Sequence, residues 1–119
     1  MRSIVRSIVQ VEYRPSLLAV REEILATLGH PVISALGSEA ARRLNLRPSS
    51  PGVIVIGHGA ERREREGLIE FFRCTAPGVP IVVLLRKRDK RFEEADYNCP
   101  ADNPPEWVRT VTLALAGIQ

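Results

Sequence analysis

Four short runs rich in β-branched residues most constrain how this chain can fold. They cover Ser7–Val11, Val32–Ala35, Val53–Ile56 and Ile81–Leu85. The third and fourth runs are apolar at every position, without the polar–apolar alternation of a strand that has one face in solvent. Unbroken apolar strands are typical of a parallel sheet that is covered on both faces. The runs therefore predict strands inside a layered α/β domain.

Segments of helical character separate these runs. Pro15–Leu28 places apolar residues mainly at three- and four-residue steps, which predicts an amphipathic helix. Ser38–Leu44 predicts a short helix with its first serine as the N-cap, and Glu61–Cys74 predicts a longer one. A short fifth strand is expected at Ala95–Cys99 and a last helix at Glu106–Ala116.

The order of these elements predicts the fold class. Strands that alternate with helices favour right-handed βαβ crossovers and a three-layer, doubly wound parallel sheet. The rhythm breaks at Arg86–Glu94, a segment shorter than the dozen or more residues of a full crossover. We therefore expect the fourth helix to be short or missing. Residues 1–119 are expected to form a single domain.

Composition limits the environment and the cofactors that we expect. No apolar run is long enough to span a bilayer, and residues 1–10 do not resemble a signal peptide, so a cytoplasmic protein without membrane contact is expected. Cys74 and Cys99 are far apart in the sequence and lack metal-site spacing, which favours free thiols and no bound metal or other cofactor. The net charge of +3 permits a nucleic-acid partner without requiring one.

The order of these segments and their residue patterns resemble those of response-regulator receiver domains, the CheY-like family. The segments that carry the resemblance are EYRPSLLAVREEILATLG (residues 12–29), VISALGSEAA (32–41), PGVIVIG (51–57), VPIVVLL (79–85) and ADYNCP (95–100). They correspond to the family's strands and first two helices, and the resemblance extends over roughly residues 5–117. It implies a five-stranded flavodoxin-like sheet of order 2-1-3-4-5.

The same resemblance implies a reaction centre whose usual residues are mostly absent here. In the family, two acidic residues after the first strand hold Mg²⁺, and an aspartate that ends the third strand accepts the phosphoryl group. A hydroxyl residue ends the fourth strand, and a lysine precedes the proline of the fifth. The residues of this chain at those positions are Glu12, Tyr13, Gly57, Leu85 and Cys99. A glycine has no nucleophile to phosphorylate, so the resemblance implies a pseudo-receiver with no enzymatic activity.

Two residues offer alternative chemistry at the strand ends. His58 in the segment GHGAE could act as a general base or accept a phosphoryl group, whereas the simpler interpretation is a loop histidine. Gly57 and Gly59 could present backbone N–H groups to an anion. Cys99 could be a reactive thiol if Arg86 or Lys87 lowered its pKa, and the simpler interpretation is a small apolar side chain.

The densest charge in the chain is the segment RKRDKR, residues 86–91. It could contact an acidic protein or the phosphates of a nucleic acid, and the simpler interpretation is a solvated loop that replaces the missing helix. No aromatic residue is interleaved with these cations, which makes nucleic acid the lesser alternative. By resemblance, the candidate interaction surface consists of Arg86, Lys87, Arg88, Arg91, Tyr97 and Trp107. The simpler interpretation of Trp107 is that it packs the last helix onto the sheet, whereas an exposed tryptophan would mark an interface. The preceding helix face, Arg62–Glu66, is expected to be solvated.

Together these features predict a receiver-like module that is not phosphorylated and acts through protein–protein contact in bacterial two-component signalling. A small-ligand site or enzyme at the remodelled strand ends, built on His58, Glu12 and Cys99, is one alternative. A nucleic-acid-binding module led by residues 86–91 is the other.

Overall fold

A computed structural model of the protein describes residues 6–48 and 50–117. Its elements in chain order are β1 (Ser7–Glu12), α1 (Pro15–Ala26), β2 (Val32–Leu36), α2 (Ser38–Arg42), β3 (Pro51–Ile56), α3 (Arg62–Thr75), β4 (Ile81–Leu85), β5 (Tyr97–Pro100) and α4 (Pro104–Leu115). Residues 1–5, 49 and 118–119 of the expected domain lie outside the described residues, as does residue 5 at the start of the family resemblance. Every predicted strand and helix is present.

The five strands form one parallel sheet of order β2-β1-β3-β4-β5, as expected. The apolar residues of β3 alternate between two hydrophobic clusters, one on each face of the sheet. Ile54 and Ile56 join the cluster that contains Leu68 of α3. Val53 and Val55 join the opposite cluster. The continuous apolar run thus follows from a strand covered on both faces.

The helices divide between the two faces of this sheet. Side chains of α2 and α3 pack on one face, and those of α1 and α4 pack on the other. Helix α4 begins at Pro104, two residues earlier than predicted, because the Asn103 side chain accepts a hydrogen bond from Glu106 N–H at 3.2 Å. A proline at the first helical turn has no N–H to lose there.

The fourth crossover contains no helix within the described residues, which confirms the prediction of a short or missing one. Residues 86–96 form turns and irregular structure between β4 and β5. The two strands still pair in parallel, with Val82 beside Tyr97 and Leu85 beside Pro100. In the part of the chain that is described, no helix is long and apolar enough to cross a membrane.

Candidate functional site

Three of the five predicted site positions meet at the carboxyl ends of β1 and β3. Glu12 ends β1, Tyr13 follows it, and Gly57 follows β3. The N–H of Gly57 donates to Val11 O at 2.8 Å, which keeps the two strand ends side by side. This edge is where ligands bind in doubly wound sheets.

The carboxyl group of Glu12 fills the space in front of Gly57. A Cβ atom built on Gly57 would lie closer than 3.0 Å to Cδ and to both carboxylate oxygens of Glu12. A side chain at position 57 and the observed conformation of Glu12 therefore exclude each other. The absence of a side chain at position 57 is thus what allows Glu12 to adopt this conformation.

Glu12 is paired with Arg21, which the sequence did not indicate as a site residue. Arg21 Nη1 donates to Glu12 Oε2, and both residues are buried, with 6% and 1% of their surface exposed. Burial raises the pKa of the Glu12 carboxyl above its ordinary value, and the charge and hydrogen bond of Arg21 oppose this shift only in part. The other carboxylate oxygen, Oε1, has no hydrogen-bond partner in the described structure.

The position of Arg21 in the sequence could have indicated that it is buried. It lies three residues after Leu18 and four before Leu25, so it belongs to the apolar stripe of α1. Leu25 is fully buried on that side of the helix. A lone arginine in an apolar stripe is expected to meet a buried acid, because an unpaired charge is rarely buried.

Tyr13 fills the neighbouring space on the other side of the strand ends. A Cβ on Gly59 would lie 2.9 Å from the Cβ of Tyr13. The Tyr13 hydroxyl lies 3.0 Å from Ser38 Oγ, and Ser38 Oγ donates to Glu64 Oε2 at 2.7 Å. Burial raises the pKa of Tyr13. The prediction that Ser38 is the N-cap of α2 is wrong: Gly37 occupies that position, and the Ser38 hydroxyl is instead engaged by Glu64.

These residues do not fit the Mg²⁺ ion that the fold implies. Mg²⁺ needs several oxygen ligands in a near-octahedral arrangement. Glu12 already shares its carboxylate with a buried guanidinium, and Gly57 and Tyr13 supply no carboxylate. Among the described residues, no group of three or more His, Cys, Asp or Glu side chains is placed to hold a metal ion.

The other two predicted site positions lie across β4 and β5. Leu85 is half-buried and cannot act as a hydroxyl donor. Cys99 is buried, and its Sγ lies 3.3 Å from Thr110 Oγ1. Burial raises the pKa of the Cys99 thiol, the Thr110 hydrogen bond opposes this, and the Glu106 carboxylate raises it further. The alternative in which Arg86 or Lys87 activates Cys99 is therefore wrong, because the charge that acts on the thiol is negative.

His58 lies half-buried on the same edge of the sheet, in the segment before α3. Burial lowers the pKa of its imidazole, and the charges of Arg21, Arg86, Arg65 and Arg14 lower it further. The imidazole of His58 therefore binds a proton less readily than that of a free histidine. In the described structure it has no hydrogen-bonded nucleophile to activate.

The basic segment 86–91 is held in place by α3. Asp89 Oδ2 accepts hydrogen bonds from Arg86 N–H at 2.8 Å and from Arg65 Nη2 at 3.1 Å. Arg62 Nη1 and Nη2 donate to the carbonyl oxygens of Lys90 and Arg91 at 2.8 and 2.6 Å. The segment is therefore an ordered loop with a fixed backbone.

An aromatic side chain completes this anchor. Phe92 is fully buried, and the guanidinium carbons of Arg62 and Arg65 lie 4.0 and 4.7 Å from its ring centroid. The i,i+4 pair Arg62–Glu66 forms as expected, at 3.1 Å, but both residues are half-buried and Arg65 is fully buried, so the expectation of a solvated Arg62–Glu66 face is wrong for these three residues. Arg65 is fully buried because it shares the apolar stripe of Leu68 and Ile69.

Two members of the candidate interaction surface differ from expectation. Trp107 is only 1% exposed and packs in the core between α4 and the sheet, which confirms the packing interpretation and makes its place on an interaction surface wrong. A large aromatic side chain is better buried against the sheet than left in water. Tyr97 is half-buried on β5, the edge strand. Arg86, Lys87, Arg88 and Arg91 are all exposed.

The sheet order and this binding edge define a doubly wound α/β protein of the flavodoxin-like class. Within that class, the structure has the fold of response-regulator receiver domains. A receiver domain from Clostridium thermocellum superposes with a TM-score of 0.80 at 13% identity, over 95% of this chain and 96% of that chain. The receiver domain of an HD domain-containing protein from Pseudomonas fluorescens Pf-5 also gives 0.80, at 14% identity, over 96% and 97%.

The receiver domain of a signal transduction histidine kinase from Syntrophus aciditrophicus gives a TM-score of 0.79 at 18% identity, over 97% of this chain and 93% of that chain. No protein-family model matches the sequence, and no curated protein is significantly similar to it. The likeness is thus one of fold, and the chemistry of this chain has to be argued from its own residues.

Proposed function

We propose that this chain is a receiver-like signalling module whose output does not use aspartyl phosphorylation and which acts by contact with a protein partner. The observation that carries the proposal is the filled site. The Glu12 carboxylate, paired with Arg21, stands where an acceptor side chain at position 57 would have to be.

The residues at the strand ends also support the proposal that the chain is not phosphorylated there. Formation of an acyl phosphate needs a carboxylate that attacks the phosphoryl donor. The carboxylate of Glu12 is 1% exposed and is held by a guanidinium that would compete for its lone pairs. Neither Leu85 nor Cys99 supplies the hydroxyl or the cation that the family uses to read or stabilise a phosphoryl group.

The loop that replaces the fourth helix supports a protein contact. Among the described residues, the side chains of Lys87, Arg88, Lys90 and Arg91 form no ion pair. The backbone beneath them is fixed by Arg62 and by the Arg65–Asp89 pair, so little ordering entropy opposes binding. A rigid surface with unpaired cations is complementary to an acidic protein surface.

The same loop is poorly suited to single-stranded nucleic acid. Stacking platforms for bases are exposed aromatic rings. Phe92, the aromatic residue beside the cations, is fully buried under Arg62 and Arg65. We therefore favour an acidic protein over a nucleic acid as the partner.

The loss of phosphorylation is tested by incubation with acetyl phosphate and Mg²⁺, followed by intact mass measurement. A conventional receiver domain, treated in parallel, is the positive control. We expect no phosphorylated species of this chain while the control gains one phosphoryl group. A stoichiometric gain on this chain would overturn the proposal.

The partner surface is tested with the charge-reversal variant R88E/R91E. The matched control is R6E/R47E, which changes the net charge equally at two exposed positions near the opposite, amino-terminal ends of the strands. We expect the wild type and the control to retain a partner protein from the source cells, in a salt-dependent manner, and R88E/R91E to lose it. Equal retention by both variants would contradict the surface. Oligonucleotide binding that only R88E/R91E abolishes would favour nucleic acid instead.

A further inference from the structure

Five of the seven residues that line a cleft at the carboxyl edge of the sheet are cationic or polar. It has a volume of about 300 Å³ and lies between the strand ends and the loops after β4 and β5. Its polar lining comes from Arg21, His58, Arg86, Lys87 and Asp102. Leu85 and Ala101 form the apolar part of its wall.

The guanidinium of Arg21 has N–H donors that are not used in its hydrogen bond to Glu12. Its hydrogen bond to Glu12 occupies Nη1, and within the described residues Nε and Nη2 have no hydrogen-bond partner. Arg21 lines the cleft and is held in place by burial, so a hydrogen bond from its remaining N–H groups to a ligand would cost little side-chain freedom. A guanidinium presents several N–H donors in a fixed plane, which suits a tetrahedral oxyanion.

The other charges around the cleft are also mostly positive. The Arg86 side chain is 49% exposed and shares one contact of 3.4 Å with Asp89, and Lys87 is exposed without an ion pair in the described structure. Asp102, which is exposed, is the acidic member of the lining. The excess of positive charge agrees with the lowered pKa of His58, which is due first to burial and then to the charges of Arg21, Arg86, Arg65 and Arg14.

We propose that this cleft binds the phosphate group of a small phosphorylated molecule, non-covalently and without a metal ion. Two arginines, one lysine and one aspartate line the cleft, so cationic side chains outnumber carboxylates there, which suits a phosphate better than a cation. A volume of about 300 Å³ is at the lower end of the range for ligand pockets, which suits a small metabolite better than a dinucleotide. In such a site, cationic side chains bind an anion, whereas in a magnesium site carboxylates bind a cation.

This cleft shares Lys87 with the partner surface, but the tests of the two proposals change different residues. Arg88 and Arg91 do not line the cleft, and Arg86 and Lys87 are not changed in the partner experiment. A failure of one proposal therefore does not decide the other.

The two histidines of the chain allow a direct test by proton NMR of the imidazole resonances. His58 lines the cleft, whereas His30 lies at the opposite end of the sheet, where its Nδ1 is 2.8 Å from Arg6 O, and serves as the internal control. The protein is titrated with inorganic phosphate and with glycerol 3-phosphate at constant pH and ionic strength in the presence of EDTA. We expect a saturable shift of the His58 resonance with one site and no comparable shift of His30.

Variants assign the shift to the cleft. R86Q/K87Q is expected to weaken phosphate binding by about tenfold or more, the loss expected when charge-assisted hydrogen bonds are removed. R6Q/R47Q, with the same net charge, is expected to bind like the wild type. E12Q is expected to bind more tightly, because Arg21 no longer faces a competing carboxylate.

Three results would overturn the proposal. One is the absence of a saturable His58 shift with either phosphate compound in folded wild-type protein. Another is equal binding by R86Q/K87Q and R6Q/R47Q. The third is binding of acetate as strong as that of phosphate, which would make the cleft a general carboxylate site.

Discussion

Glu12 and Gly57 are complementary: the carboxyl group of one occupies the volume that any side chain at the other would need. A side chain at position 57 would therefore require Glu12 to move. Glu12 is itself nearly inaccessible to solvent, with 1% of its surface exposed. It is one half of a buried ion pair, with Arg21, that closes the strand ends.

Gly57→Ala is expected to lower the free energy of unfolding by about 1–3 kcal/mol, because the added methyl group overpacks the Glu12 carboxyl. The measurement is urea unfolding followed by the fluorescence of Trp107, the single tryptophan. Gly67→Ala in α3 is the control. A Cβ there would have only the Arg42 Nη2 as a neighbour, at 3.4 Å, so a gain of roughly 0.5–1 kcal/mol is expected. A Gly57→Ala protein as stable as the wild type would contradict the close packing.

Glu12→Gln is expected to change how stability depends on pH. The pKa of Glu12 is higher in the folded protein than its ordinary value of 4.5, so the folded state binds the proton more tightly. The resulting stabilisation is complete below pH 4.5 and is lost as pH rises through the folded pKa. The unfolding free energy of the wild type minus that of E12Q should therefore fall with rising pH and then level off. If the difference between wild type and E12Q instead grew with pH, the pKa of Glu12 would be lowered in the folded protein.

Asp89→Asn is expected to loosen the basic loop. Desolvation acts to raise the pKa of Asp89, but the Arg86 N–H bond and Arg65 outweigh it, so the pKa is lowered from 3.8. The stabilisation by this carboxylate is present above pH 3.8 and is lost as pH falls through the folded pKa. Near neutral pH the substitution should lower stability by about 1–3 kcal/mol, because Arg65 is left buried beside a weaker acceptor.

Limited trypsin digestion reports the loop itself in the Asp89→Asn protein. Cleavage after Lys87, Arg88, Lys90 or Arg91 should be faster than in the wild type, since a protease needs a mobile segment. Glu93→Gln is the control, because Glu93 is exposed and forms no ion pair in the described structure. Cleavage at the same rate in all three proteins would mean that Asp89 does not hold the loop.

The two thiols should differ in reactivity. Cys74 is exposed, whereas Cys99 is buried and has a raised pKa. With iodoacetamide at neutral pH, peptide mass analysis should find Cys74 alkylated first and Cys99 modified only after unfolding. The C74S variant isolates the behaviour of Cys99. Rapid alkylation of native C74S protein would contradict the burial of Cys99.

Most of the fold could be predicted because it depends on local patterns. The apolar runs of β3 and β4, the stripe of α1 and the short segment after Leu85 each carry their own signal of strand, helix or missing crossover. Absences could also be identified from sequence: once Gly57 is placed at the end of a strand, no side chain can serve there as an acceptor. These conclusions needed only the order of residues along the chain.

The state of individual charges was decided by tertiary packing. Arg21 and Arg65 lie in apolar helix stripes and are buried, whereas Arg63 lies on the opposite face of its helix and is exposed, but a stripe does not show which carboxylate each buried arginine meets. Because Arg21 and Arg65 are buried, each depends on one carboxylate, Glu12 for Arg21 and Asp89 for Arg65. These partners are distant in the sequence, so no local pattern predicts the pairs. The sequence by itself determined the layered sheet and the absence of an acceptor. Only the tertiary structure decided that an ion pair fills the site, because desolvation and pairing exist only between groups that the fold brings together.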